Sequence, residues 1–222
     1  MAGKRKTVSA ATSFFIALRL FYRRLGIFLL ANVMWIVTSL PLVTLPAATG
    51  ALFYVAHRVV LEERQRDPHY ARPGDFWVGF RRYGWRCTWL VLLQLLTLTI
   101  ILVTLRFYVQ HPLEPLRWLA GPVAIILLAW LGVQLYALPL LILFPEQSTI
   151  SIARRAFLYT LTYPLYTLLL IVWLLLLTLV CIALAGPVFL VLFALLALVQ
   201  TVALRVLRVT EGQIEPPQID EG

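Results

Sequence analysis

The stretch 163–207 is apolar almost throughout and is too long for a single membrane crossing, which takes about 20 helical residues over about 30 Å. It divides at Gly186-Pro187, where proline lacks an N–H and glycine permits a sharp turn. Three further runs of crossing length precede it, at 26–45, 87–106 and 118–144, and the division gives 163–185 and 187–207. Hydrophobic residues make up 61% of the 222 and charged residues 13%, and mean hydropathy is +0.88. A soluble chain carries roughly 25% charged residues, so there are too few charges here to coat a globule. A soluble enzyme, a secreted disulfide scaffold and a disordered tail protein are all excluded at this step.

A sixth segment, 46–61, is shorter and contains His57 and Arg58. Positively charged loops stay cytoplasmic, and that rule decides its status. With five crossings the lysines and arginines divide 8 inside to 11 outside; with six they divide 17 to 2. The sequence therefore predicts an all-α, polytopic helical bundle of six membrane segments, one of them short. It sits in a bacterial plasma membrane with both termini cytoplasmic. Residues 1–208 form one transmembrane domain, and 209–222 an acidic, proline-bearing tail expected to be disordered.

Three segments between the spans have helical periodicity. In 12–25, Phe14, Leu18, Phe21 and Leu25 form one stripe, with Arg19 and Arg23 off it, as in an amphipathic helix on the inner membrane surface. A second such helix starts at Asp75, after the Pro73-Gly74 break, with Asp75 as N-cap. Phe76, Phe80, Tyr83 and Cys87 share its face, and Trp77, Trp85 and Trp89 supply an interfacial aromatic belt. A third, 151–162, carries Arg154 and Arg155 before Pro164. The candidate partner-docking residues are Asp75, Phe76, Trp77, Phe80, Arg81, Arg82, Arg154 and Arg155.

The chemistry-bearing residues argue against catalysis. The chain has 17 arginines but only two lysines, Lys4 and Lys6, so its body has none for a phosphate-binding loop or a Schiff base. All ten carboxylates lie outside the apolar runs, which disfavours ion-coupled transport, a process that usually holds an acid at membrane depth. His57, His69 and His111 lack metal-ligand spacing, the serines have no nucleophile-elbow setting, and Cys87 and Cys181 read as apolar filler. No cofactor and no enzyme activity are expected. The arginines flank apolar spans and form no continuous stripe, so the expected partner is the anionic inner surface of the bilayer and not nucleic acid. The polar residues within spans are candidates for helix packing or for lining a path: Asn32, Gln94 and Gln134, with Trp35, Pro41 and Pro139 beside them. Pro41 and Pro46 bracket the outer turn between the first two segments, and Pro139 should kink a span that at 27 residues reaches about 40 Å.

The run Asn32-Val33-Met34-Trp35, followed by Leu40-Pro41-Leu42-Val43-Thr44, Ala47-Ala48-Thr49 and Ala51-Leu52, resembles the YesL-like family of bacterial membrane proteins. Asp75-Phe76-Trp77 with Phe80, and the stretch around Tyr136 to Pro139, are similar to its later segments. The resemblance covers roughly 12–208. It implies no catalytic or ligand residue. It does imply an accessory or interaction component found with carbohydrate utilisation, particularly ABC-type sugar uptake, whose partner would be a sugar transporter subunit. The other expectation is a transport subunit that itself forms a path for a small neutral solute.

Overall fold

The structure, a computed structural model, describes residues 10–65, 71–183 and 191–210. The predicted break at Gly186-Pro187, the tail beyond residue 210, Lys4, Lys6 and His69 lie outside the described residues. Every regular element among the described residues is helical: α1 (Ala10–Arg23), α2 (Leu25–Ser39), a 3-10 turn (Leu42–Thr44), α3 (Leu45–Gln65), α4 (Asp75–Gln110), α5 (Glu114–Arg117), α6 (Ala120–Leu143), α7 (Thr149–Thr162), α8 (Pro164–Ala183) and α9 (Phe193–Thr210).

Among the described residues, four stretches are long and apolar enough to cross a membrane: Leu42–Glu63, Asp75–Gln110, Glu114–Leu143 and Pro164–Ala183. Two of the six predicted segments do not reach that standard among the described residues. The predicted 26–45 span is α2, which has 15 residues and a length of about 22 Å. Pro41 stops it: the residue adopts extended backbone at φ −77°, ψ 110° and opens the 3-10 turn. Thr44 closes the turn by donating its hydroxyl to the Pro41 carbonyl at 2.7 Å. The predicted 187–207 span is described only as α9.

The segment that seemed shortest in sequence is the centre of the bundle. α3 has 21 residues, with Pro46 in its first turn, where a missing N–H leaves no bond unmade. It packs against α2, α4, α6 and α9. Its contact with α4 is antiparallel and close because small residues face each other: a Cβ on Gly79 would lie 2.8 Å from the Tyr54 Cβ, and one on Gly84 would lie 3.1 Å from the Ala47 Cβ. Gly50 in turn leaves space for the Cys87 sulfur. In lipid, where apolar burial drives no association, such close backbone approach is what holds helices together.

The predicted surface helices are packed elements. The helix starting at Asp75 does not stop near Cys87 but continues through the next span as one helix of 36 residues, about 54 Å long. α7 runs antiparallel along α6: Arg155 lies over the Phe144 ring at 4.9 Å, Tyr159 is 6.0 Å from Tyr136, and Thr160 reaches Gly132. It therefore follows the axis of a membrane-length helix and does not lie across its end. α1 buries Ala10, Ser13, Ala17, Leu20 and Phe21 against α8 and α9. Phe14 stacks on Trp173 at 4.8 Å, while Leu25, the last residue of the predicted stripe, is exposed. Amphipathic periodicity was correct about which faces are apolar; protein covers much of what lipid was expected to cover.

The core occupies one half of the bundle. α4 buries residues from Asp75 to Leu90 but beyond them only Ile101, and α6 buries Gly132 to Ile142. The opposite halves expose Leu95, Ile100, Val103, Ile125 and Leu128.

Candidate functional site

The well-packed half ends in a concentration of arginines. Arg23 pairs with Glu63 at 2.9 Å, Arg24 with Glu62, and Arg58 with Asp75 at 3.2 Å. Arg86 donates to the carbonyls of Pro145 and Gln147 and so fastens α4 to the link between α6 and α7. Arg205 donates to the Val60 carbonyl at 2.9 Å, and Arg208 lies over the Phe144 ring at 5.1 Å. Arg106 and Arg117 stand at the other end, beside α5.

The predicted docking residues separate into two groups. Asp75 and Phe76 are buried. Asp75 Oδ2 accepts from the Arg72 N–H at 2.8 Å as well as from Arg58, and Gly74 occupies the cap position Asp75 was expected to fill. Phe80 is half-buried and meets Trp77 edge-on at 5.8 Å. Trp77, Val78, Arg81, Arg82 and Trp85 are exposed, and their helical spacing gathers them on the outward face of the first three turns of α4. Arg154 and Arg155 are exposed on α7, with Arg155 held at Phe144.

The predicted packing or path-lining residues separate similarly. Asn32 is fully buried and its Oδ1 accepts from the Ala194 N–H at 3.2 Å, tying α2 to the start of α9. Trp35 donates Nε1 to Thr49 Oγ1 at 3.1 Å and stacks on Phe193 at 4.1 Å. Both serve packing. Pro41 is exposed at the turn, and Pro139 is buried in α6. Gln94 and Gln134 differ: their Nε2 atoms are buried without a hydrogen-bond partner, as is Trp130 Nε1, one turn from Gln134.

Sequence reasoning missed several polar contacts. Ser13 and Tyr166 share a hydrogen bond of 2.7 Å, and Tyr136 and Thr167 one of 2.9 Å. It also missed a cleft of about 110 Å³ between α3, α6 and α9, lined by His57, Pro139, Thr201, Arg205 and Arg208 among apolar side chains. Thr201, Arg205 and Arg208 fall at i, i+4 and i+7, a polar stripe in an otherwise apolar helix that was readable in advance. Among the described residues, no group of three His, Cys, Asp or Glu side chains gathers to hold a metal ion.

Among the described residues, these features define a helical bundle with four membrane-length helices, a dense core in one half and an arginine-rich end. Within it, residues 28–105 match the family model described as Protein of unknown function, DUF624. That region comprises most of α2, all of α3 and most of α4. Comparison with curated proteins gave no match, and comparison with solved structures gave none.

Proposed function

We propose that the protein is a non-enzymatic, multi-pass component of the bacterial plasma membrane, with both ends cytoplasmic, that acts by docking other membrane proteins. The resemblance to the YesL-like family supports a partner among carbohydrate uptake systems, a subunit of an ABC-type sugar transporter. The observation that carries the reading is the outward face of α4. This helix is longer than a bilayer requires, and its first three turns present Trp77, Arg81, Arg82 and Trp85 outward at the arginine-rich end. Tryptophan and arginine dominate binding hot spots because they combine large contact area with directed polar groups. The positive-inside rule puts this end in the cytoplasm, where a transporter exposes its coupling surfaces.

The test is co-purification in mild detergent from native membranes. Wild type should recover a transporter subunit, and a Trp77→Ala, Arg81→Glu, Arg82→Glu variant should lose it while still inserting at normal abundance. Equal recovery by both would overturn the docking reading.

A second reading is a transport subunit with a path for a small neutral solute. It draws on the buried, unpartnered N–H groups of Gln94, Trp130 and Gln134, which lie on helices packed against each other. Absence of solute flux in reconstituted vesicles, alone or with an ATPase, would remove it.

A further inference from the structure

The turn between α2 and α3 presents apolar side chains to its surroundings: Leu40, Leu42 and Val43 are 78%, 81% and 82% exposed, and Pro41 is exposed between them. α2 extends the same surface, with Leu30, Val33, Val37 and Leu40 at i, i+3, i+7 and i+10 on an outward stripe. No charged residue stands between Arg24 and Arg58. Turns that face water draw on Gly, Asn, Asp and Ser, and membrane boundaries carry Trp, Tyr, Arg and Lys. Residues 40–45 contain none of these, whereas the connection from α4 to α6 has Arg106, Tyr108, Arg117 and Trp118.

The register of α3 on α4 decides how deep the turn lies. The uncharged stretch of α4 runs from Cys87 to Leu105 between Arg86 and Arg106, and its length of about 30 Å matches the hydrocarbon thickness. α3 is long enough to cross, but it lies beside the charged start of α4. A Cβ on Gly79 would meet Tyr54, one on Gly84 would lie 3.1 Å from the Ala47 Cβ, and Gly50 faces the Cys87 sulfur. From Gly84 to Arg106 α4 rises about 33 Å. From Ala47 back to Val43 the chain spans at most about 14 Å even when extended. Val43 therefore stops at least about 19 Å short of the level of Arg106. The polar groups of the turn fold inward, as hydrocarbon requires. Thr44 places its N–H at 2.9 Å and its hydroxyl at 2.7 Å on the Pro41 carbonyl. Thr38 donates back to the Met34 carbonyl at 2.7 Å, and Pro41 and Pro46 have no N–H to satisfy.

We infer that α2 and α3 form a re-entrant hairpin. It enters the bilayer from the arginine-rich end, turns at residues 40–44 within the leaflet at that end and leaves on the same side. Lipid acyl chains cover the turn and the outward stripe of α2. Exchanging two crossings for such a hairpin leaves the 17-to-2 division of lysines and arginines unchanged, so both arrangements satisfy the positive-inside rule. The contact of Ala47 with Gly84 separates them. The inference does not depend on docking by α4.

The test uses the full chain in native membranes. Val43→Cys is treated with a membrane-impermeant maleimide from each side, beside Glu114→Cys and Glu146→Cys, which mark the two faces; Cys87 and Cys181 are buried. Labelling of Val43→Cys should stay at the wild-type background from both sides. After reconstitution, a bimane attached to the same cysteine should lose more fluorescence to phospholipids with a nitroxide on the acyl chain than to those with one on the headgroup. Labelling from the face that labels Glu114→Cys would overturn the assignment, because the turn would then cross. Labelling from the Glu146→Cys face, or no quenching by acyl-chain nitroxides, would overturn it equally, because water or protein would then cover the turn. If Val43→Cys does not fold, Leu42→Cys takes its place with the same expected results.

Discussion

Tyr54 of α3 and Gly79 of α4 meet at backbone distance: a Cβ on Gly79 would lie 2.8 Å from the Tyr54 Cβ and 3.1 Å from the Ala51 Cα. None of these atoms is the movable end of a side chain, so the two helices can relieve a larger residue only by separating. Gly79→Ala should therefore destabilise the protein by about 1–3 kcal/mol. Gly26→Ala and Gly74→Ala, where nothing stands within 4 Å, should be close to neutral. Thermal unfolding in detergent, compared across the three variants, decides this, and equal Tm values would contradict the packing described.

Asp75 is a structural acid. It accepts from both Arg58 and the Arg72 N–H, so removing the carboxylate takes a buried acceptor from two donors. Asp75→Leu should cost about 1–3 kcal/mol. Asp75→Asn keeps an acceptor and should cost less. A double-mutant cycle with Arg58→Met should give a coupling energy above that of an exposed pair such as Arg23–Glu63, which is worth about 0–1 kcal/mol.

Arg86 bridges the Pro145 and Gln147 carbonyls. Lysine carries the charge but not the planar fork. Both Arg86→Lys and Arg86→Met should therefore loosen the link between α6 and α7, seen as faster proteolytic nicking between residues 144 and 148. Nicking at the wild-type rate in Arg86→Met would show that this contact does not restrain the link.

The orientation can be tested without reporters. Cys87 and Cys181 are both buried, so a cysteine placed at the exposed Glu146 should be the one labelled by a membrane-impermeant maleimide after the cytoplasmic face is opened. A cysteine at Glu114 should be labelled in intact cells. The reverse pattern would invert the topology.

Much of this architecture was legible in the sequence, and the remainder shares a physical cause. The spans of α4, α6 and α8 were evident because unbroken apolar length has few other uses. The extent of α2 was not, because Pro41 ends the helix before the apolar run ends. Ile152, Ala156 and Thr160 give α7 an apolar face, yet periodicity identifies a face without saying whether lipid or α6 covers it. Asp75 and Phe76 looked like surface residues for the same reason. Thr201, Arg205 and Arg208 formed a visible stripe, but their meeting with His57 depends on α3 and α9 lying side by side, which no local pattern encodes.

The central position of α3 has a consequence for how the chain enters the membrane. Its hydropathy is the lowest of the four membrane-length stretches among the described residues, and more than half of it is buried. It carries His57, Arg58, Glu62 and Glu63 towards one end, residues that resist partitioning into lipid when exposed. Alone in the lateral gate of a translocon, it would be a poor candidate for release. The small-residue seam with α4 and the Arg58–Asp75 pair instead favour release of the two together as a hairpin, which would make insertion of α3 wait on synthesis of α4, the longest of the described helices.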